Sequence, residues 1–174
     1  MRVLLLSASV LLGLAVLSGC MSESGGPPAQ PSFYASMAEE GASVDGAAAA
    51  SMISGYRGNN GLGTVAVDPD LMRMAMERAR AMAAKDKIDR AAGREFAARL
   101  GSAGFSGKAA VENVGAGYHT LAEAFSGWRD SPPHRANMLK DGVNRLGIAA
   151  VYAPQSKYKV FWALIMAAKD EGRV

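Results

Sequence analysis

The chain has 174 residues, a formal net charge of +3 and 49% apolar residues, which suits one domain with a sizeable core and gives too little charge asymmetry for a nucleic-acid binder. Lysine and arginine form no run and do not interleave with aromatics, so nucleic acid is excluded as a partner class. The single cysteine excludes a disulfide within the chain and leaves the apolar core, with ten methionines among its fillers, to hold the fold.

Arg2 is followed by Val3 to Val16, an uncharged apolar stretch of secretory-signal length and too short for an ordinary membrane span, and then by Leu17-Ser18-Gly19-Cys20. This pattern resembles a bacterial lipobox. The resemblance implies a diacylglycerol on the Cys20 sulfur, cleavage before Cys20 and acylation of the new amine. Residues 1–19 are then a lipoprotein signal peptide. Two or three acyl chains hold stably where one does not, so the body stays in water at an extracytoplasmic membrane surface. The other reading of the same residues is an ordinary signal peptide cut elsewhere. Removing 1–19 leaves 174 − 19 = 155 residues and a net charge of 18 − 16 = +2, since Arg2 is the only charged residue lost. Met21 follows Cys20 in place of the Asp that commonly retains lipoproteins at the inner membrane, so the expected location is the outer membrane or cell surface of a two-membrane bacterium.

Residues 20–44 are rich in Ser, Gly, Pro, Glu and Ala around Gly25-Gly26-Pro27-Pro28. That composition reads as a lipidated flexible tether, with Phe33 and Tyr34 as the residues able to dock on the domain. From Asp45 the spacing turns helical. Ala49, Met52, Ile53 and Tyr56 share a face, which predicts a helix over 46–58 ended at Asn59-Asn60-Gly61. Leu62 to Val67 is an extended link. Asp68-Pro69-Asp70 starts a second helix, with Asp68 as cap, Pro69 at its first position, and an inner stripe of Leu71, Met74, Ala75, Arg78 or Ala79, and Met82.

Arg94 to Leu100 reads as a short helix ended by Gly101, and Ala103 to Gly107 as a turn-rich connector. Thr120 and Glu123 have capping-box spacing, and Leu121, Phe125 and Trp128 form the stripe of a buried helix over about 120–128. Ser131-Pro132-Pro133-His134 opens another helix, with Met138 and Leu139 inward. Leu146, Ile148, Ala150 and Tyr152 alternate as a strand with one buried face. After a turn at Pro154 to Ser156, Tyr158 to Ala167 is a strand apolar enough to be central.

Four segments in this order carry a family resemblance: the opening helix with Arg57 to Gly61-Leu62; Glu112-Asn113-Val114-Gly115-Ala116-Gly117; Trp128-Arg129-Asp130-Ser131-Pro132-Pro133-His134-Arg135; and Leu146-Gly147-Ile148 with the apolar strand containing Phe161-Trp162. In combination they resemble a bacterial member of the CAP superfamily, also called SCP-like (cysteine-rich secretory, antigen 5, pathogenesis-related 1). The resemblance places a CAP domain over residues 45–170. It implies an α/β (α+β) fold, a three-layer α/β/α sandwich with a small, largely antiparallel sheet, whose central cleft is lined by two histidines and acidic residues that bind a divalent metal in some members.

The matching cleft residues are Glu112, Asn113 and His134, and Arg90 stands where bacterial relatives usually have the first histidine. A guanidinium offers only donors and repels a cation. The residual candidates Glu112 and His134 are too few for a usual protein zinc site, so no metal and no other cofactor is expected. The expectation is that Arg90 instead forms an ion pair with Glu112. His119 reads as an exposed loop residue. Three functions follow: a non-enzymatic, membrane-anchored binding module for a lipid, glycan, peptide or envelope protein; a metal-dependent or unrecognised hydrolase; and a structural envelope lipoprotein. The first is preferred, because Cys20 is taken by the anchor and no Ser sits in a Gly-x-Ser-x-Gly turn.

Overall fold

A strand that is apolar on both faces has to lie between two layers, and the last strand of this chain does. The computed structural model describes residues 30–89 and 93–169. In chain order these form a short 3-10 turn at Ser32–Tyr34, then α1 (Gly46–Gly58), β1 (Ala66–Val67), α2 (Pro69–Ala84), α3 (Gly93–Ser102), β2 (Phe105–Ala116), α4 (Leu121–Asp130), α5 (Pro132–Met138), β3 (Arg145–Tyr152) and β4 (Val160–Lys169). The sheet order is β1-β3-β4-β2. β4 pairs antiparallel with β2 and β3, and β1 pairs parallel with β3. Trp162, Leu164 and Met166 of β4 face a core built with Ala49 and Ile53 of α1, Leu121 and Trp128 of α4, and Met138 of α5. Phe161, Ala163, Ile165 and Ala167 face the opposite core with Leu71, Met74, Ala79 and Met82 of α2 and Leu100 of α3. Helices on both sides of the small sheet make the expected α/β/α sandwich.

The helix starts follow the capping chemistry. Asp45 accepts a hydrogen bond from the Ala48 amide at 3.0 Å, and Asp68 accepts from Asp70 and Leu71 at 2.9 and 3.3 Å, with Pro69 at the first position of α2. Thr120 caps α4 through the Glu123 amide at 3.2 Å, while the Glu123 carboxylate reaches back to the amide of His119 at 2.6 Å. Trp128 stands edge-on to Trp162, with ring centroids 6.4 Å apart. Inside the first core, the fully buried Arg57 guanidinium donates to four main-chain carbonyls: Gly63 at 2.8 Å, Met138 at 2.9 Å, Lys140 at 2.8 Å and Val143 at 3.4 Å. It ties the end of α1 to the end of α5 and to the start of β3.

Several elements differ from the sequence expectation. Within the segment assigned to the tether, residues 30–44 pack on the domain: Met37 is buried, its amide donates to the His119 carbonyl at 2.6 Å, and Phe33 and Val44 pack on the same core. Composition underestimated this stretch because a few apolar residues suffice when a finished core is there to receive them. Ala103 to Gly107 is not all connector. β2 begins at Phe105 and runs through Glu112-Asn113-Val114-Gly115, of which Glu112, Asn113 and Gly115 are poor strand formers, and it pairs because β4 would otherwise have an open edge. β3 is buried on both faces between Leu146 and Ala150 where one was expected, since α2 lies directly over it. α3 continues through Gly101 to Ser102, α4 extends to Asp130, and β4 starts at Val160, not Tyr158, after a turn in which Lys159 has φ +63°. Only Ala66 and Val67 of the extended link join the sheet.

The contact of α2 with β3 has no room for a side chain at Gly147, where an added Cβ would lie 2.0 Å from the Leu71 carbonyl carbon and 2.2 Å from the Met72 amide nitrogen. Gly147→Ala must push α2 off the sheet. We expect it to cost about 3 kcal/mol, at the upper end for overpacking, read as a lower urea midpoint, whereas Gly63→Ala, with nothing near its Cβ position, should leave the midpoint within experimental scatter.

Candidate functional site

Among the described residues β2 is an edge strand, and its outer edge is the floor of a cleft. A cavity of about 410 Å3 opens there, lined by Phe96 of α3, by Ala110, Val111, Glu112 and Val114 of β2, and by Pro133, His134 and Asn137 of α5. α3 and α5 stand on opposite faces of the sheet, so the cleft has two walls with the strand edge between them.

Side chains alternate along β2, which sends Glu112 toward α2 and Asn113 toward α5. Glu112 meets Arg78 of α2, with Arg78 Nε to Glu112 Oε1 at 3.0 Å and both side chains about nine-tenths buried. The same guanidinium pairs through Nη1 with Asp89 Oδ1 at 2.6 Å and donates through Nη2 to the Asp89 carbonyl. One arginine thus joins the chain after α2 to the cleft strand. Burial opposes the charge on Asp89, but Arg78 and then Lys85 outweigh it and hold its carboxyl below the usual range. The turn that delivers Asp89 is fixed one step earlier: Asp86 has φ +46° and accepts a hydrogen bond from the buried Ser156 hydroxyl of the β3–β4 hairpin.

Asn113 is buried on the other side of the strand. Its Nδ2 donates to the His134 carbonyl at 2.9 Å, and its Oδ1 accepts from Asn137 Nδ2 at 2.8 Å, which also donates to the Glu112 carbonyl at 3.0 Å. This amide network clamps α5 to the strand edge and sets where the His134 ring stands.

Of the residues singled out in the sequence, Glu112 and His134 line one cavity. Asn113 lies behind the cleft and holds its wall. Arg90 and Cys20 lie outside the described residues, and His119 is exposed, away from the cleft lining. Sequence reasoning missed Arg78, Phe96 and Asn137. Arg78 carried a signal, since an arginine on the same stripe as Met74, Ala75 and Met82 must find a carboxylate inside the fold. Asn137 carried none beyond lying one turn after His134.

A three-layer α/β/α sandwich with a cleft at one sheet edge defines the class of protein. The sequence profile of the cysteine-rich secretory protein family (CAP) matches residues 50–166, and the chain belongs to that family. No curated protein matches it significantly. Among solved structures it is similar to an extracellular SCP-domain protein of Bacillus anthracis (TM-score 0.58, 21% identity, covering 71% of this chain and 40% of that one). It is also similar to an outer surface protein of Borrelia burgdorferi (TM-score 0.59, 15% identity, 74% and 98% covered) and to a cysteine-rich secretory protein of Staphylococcus aureus (TM-score 0.56, 16% identity, 71% and 38% covered). The chain therefore spans less than half the length of the Bacillus and Staphylococcus proteins. Among the described residues no helix is long and apolar enough to cross a membrane.

Two outcomes test the site's construction. Arg78→Met keeps most of the buried stem but removes the guanidinium that joins Glu112 to Asp89, and should cost about 3 kcal/mol as expected for breaking a buried pair; urea unfolding reads the cost, and Arg78→Lys should recover part of it. Acid should act on the same contacts. At the α2 cap, burial opposes the charge on Asp68, while Lys169 Nζ at 2.8 Å and the capping amides hold its carboxyl below the usual range. The stability that Asp68 and Asp89 supply is present above the unfolded carboxyl value of about 4 and is lost as pH falls through their lower folded values. Urea midpoints should therefore drop as pH falls below about 4, and Asp68→Asn should flatten that drop.

Proposed function

We propose that the chain is a membrane-anchored, extracytoplasmic binding module of the CAP family, held by a lipidated Cys20 and taking its ligand in the cleft at the β2 edge. The observation that carries this reading is the make-up of the cleft: apolar walls from Phe96, Val111, Val114 and Pro133 with three convergent polar side chains, Glu112, His134 and Asn137. Apolar walls with a few placed polar groups are the usual form of a ligand pocket. A purely structural lipoprotein has no need of such a pocket. The lining holds no Ser, Thr, Cys or Lys among its described residues, which favours binding over covalent hydrolysis.

The divalent cation bound by some relatives does not fit the donors described here. Glu112 Oε1 is engaged by a guanidinium at 3.0 Å, and no group of three or more His, Cys, Asp and Glu side chains converges among the described residues. A cation on Glu112 would sit beside the fixed positive charge of Arg78. The cleft is read as a site for an organic ligand: a lipid, glycan, peptide or segment of an envelope protein.

The membrane half of the proposal rests on the Leu17-Ser18-Gly19-Cys20 segment. Cells fed an alkyne fatty acid should yield labelled wild-type protein that fractionates with membranes, the outer one in a two-membrane bacterium. Cys20→Ala should be unlabelled and either unprocessed or released. Unlabelled wild type overturns the anchor.

A further inference from the structure

We infer that the domain rests on its anchoring membrane by the surface around the start of α1, with Tyr34 and Val67 toward the lipid, so that the cleft opens on the side facing away. This rests on the reading of Cys20 as a lipidated anchor and adds the surface that meets the lipid. The place where the anchored chain joins the domain carries it. Cys20 and Gln30 are ten residues apart, at most about 35 Å when fully extended. Ser32, two residues further on, donates its hydroxyl to Asp45 Oδ2 at 2.7 Å, and Asp45 is the N-cap of α1. Val67 of β1 stands at the same helix start, since a Cβ added to Gly46 would lie 3.5 Å from Val67 Cγ2. The anchored chain therefore reaches the domain at the start of α1, beside β1.

Three large apolar side chains are exposed among the described residues, and two of them are here: Tyr34 at 50% and Val67 at 39%. Phe33 packs on the core with its ring centroid 4.6 Å from that of Tyr34, so the exposed ring is braced by a partly buried one. A tyrosine presents an apolar ring and a polar hydroxyl, which suits the headgroup region of a bilayer. Two half-exposed side chains fall far short of the roughly 800 Å2 per partner of a stable protein interface. A lipid surface needs less, because a short tether keeps it at a high effective concentration. The third exposed residue, Ile88, precedes Asp89, which Arg78 joins to the cleft strand; a domain resting on Ile88 would turn its cleft to the lipid. The sheet order β1-β3-β4-β2 puts β1 and β2 at opposite edges, about 14 Å apart at the usual strand spacing. With β1 and the start of α1 on the lipid, the cleft faces water. Its ligand then arrives from the aqueous side, as a glycan, peptide or envelope-protein segment in preference to a lipid of the anchoring leaflet.

The test uses the full lipidated chain in vesicles of phosphatidylethanolamine and phosphatidylglycerol. A thiol-reactive NBD fluorophore is placed by Ala35→Cys, at the exposed neighbour of Tyr34, or by Arg135→Cys, at an exposed residue next to His134 of the cleft lining. The anchor's own sulfur is blocked by its thioether, so each variant carries one reactive thiol. Iodide quenching of each label is normalised to the same label on the unlipidated mature chain in solution. The label at 35 should be quenched about threefold less than the label at 135, as expected for a surface sunk into the headgroup region. Tyr34→Ser combined with Val67→Ser should remove that difference while the circular dichroism stays unchanged. Equal quenching of the two labels, protection of the label at 135 instead, or a difference that survives the double substitution overturns the resting surface. Flotation in a sucrose gradient reads the anchor separately. Protein that stays at the bottom loses both the anchor and the resting surface, whereas protein that floats with equally quenched labels loses the resting surface alone.

Discussion

β4 sets the architecture because it has no polar face. Its buried residues from Val160 to Ala167 need a helical layer on each side, and its main chain needs a strand on each edge. β3 and β2 supply those edges. β3 is apolar enough to be covered as well, and α2 comes so close that only glycine fits at position 147. β2 takes the outer place, with no further strand beside it among the described residues. The cleft is thus a consequence of how few strands the sheet has, and α3 and α5 only wall what the strand order leaves exposed.

Holding two short helices beside an open edge calls for polar ties, since neither helix buries a broad apolar face. α5 has seven residues and one fully buried side chain, Met138. The rest of its fixation comes from Asn113 and Asn137 on one side and from Arg57 on the other, which takes the Met138 carbonyl. α3 is joined to α2 by Arg99 and Glu77 at 2.8 Å, an exposed pair that adds little stability. Its buried Leu100 and the half-buried Phe96 do more. The firmer wall is therefore the polar one.

The helix starts and the central strand were legible because each is written in local chemistry: Asp68 and Thr120 as caps, Pro69 and Pro132 at first positions, and an apolar run with no charge from Val160 to Ala167, whereas the sandwich was implied by the family resemblance. β2 was not legible as a strand. Its second half carries a glutamate, an asparagine and a glycine, and the vacant edge of β4 makes it extended. In the cleft, Glu112 and His134 could be found from the family motifs, whereas Arg78 lay hidden in a helix stripe. Its partner is 34 positions away, and no spacing rule within one helix reaches that far. The ordered stretch around Met37 escaped for a similar reason, since its packing partners are all supplied by distant parts of the chain.

Arg57 gives the fold a property of a different kind. Its charge is solvated by four carbonyl dipoles, and Asp141 contributes to it only through a longer-range field. Main-chain carbonyls do not titrate in any ordinary pH range, and a buried set of dipoles is not shielded by dissolved ions as a surface ion pair is. The junction that carries α5 is therefore indifferent to acid and to brine, while the carboxylate contacts at Asp68 and Asp89 respond to acid. The frame of the cleft thus rests on a partner that neither acid nor salt removes.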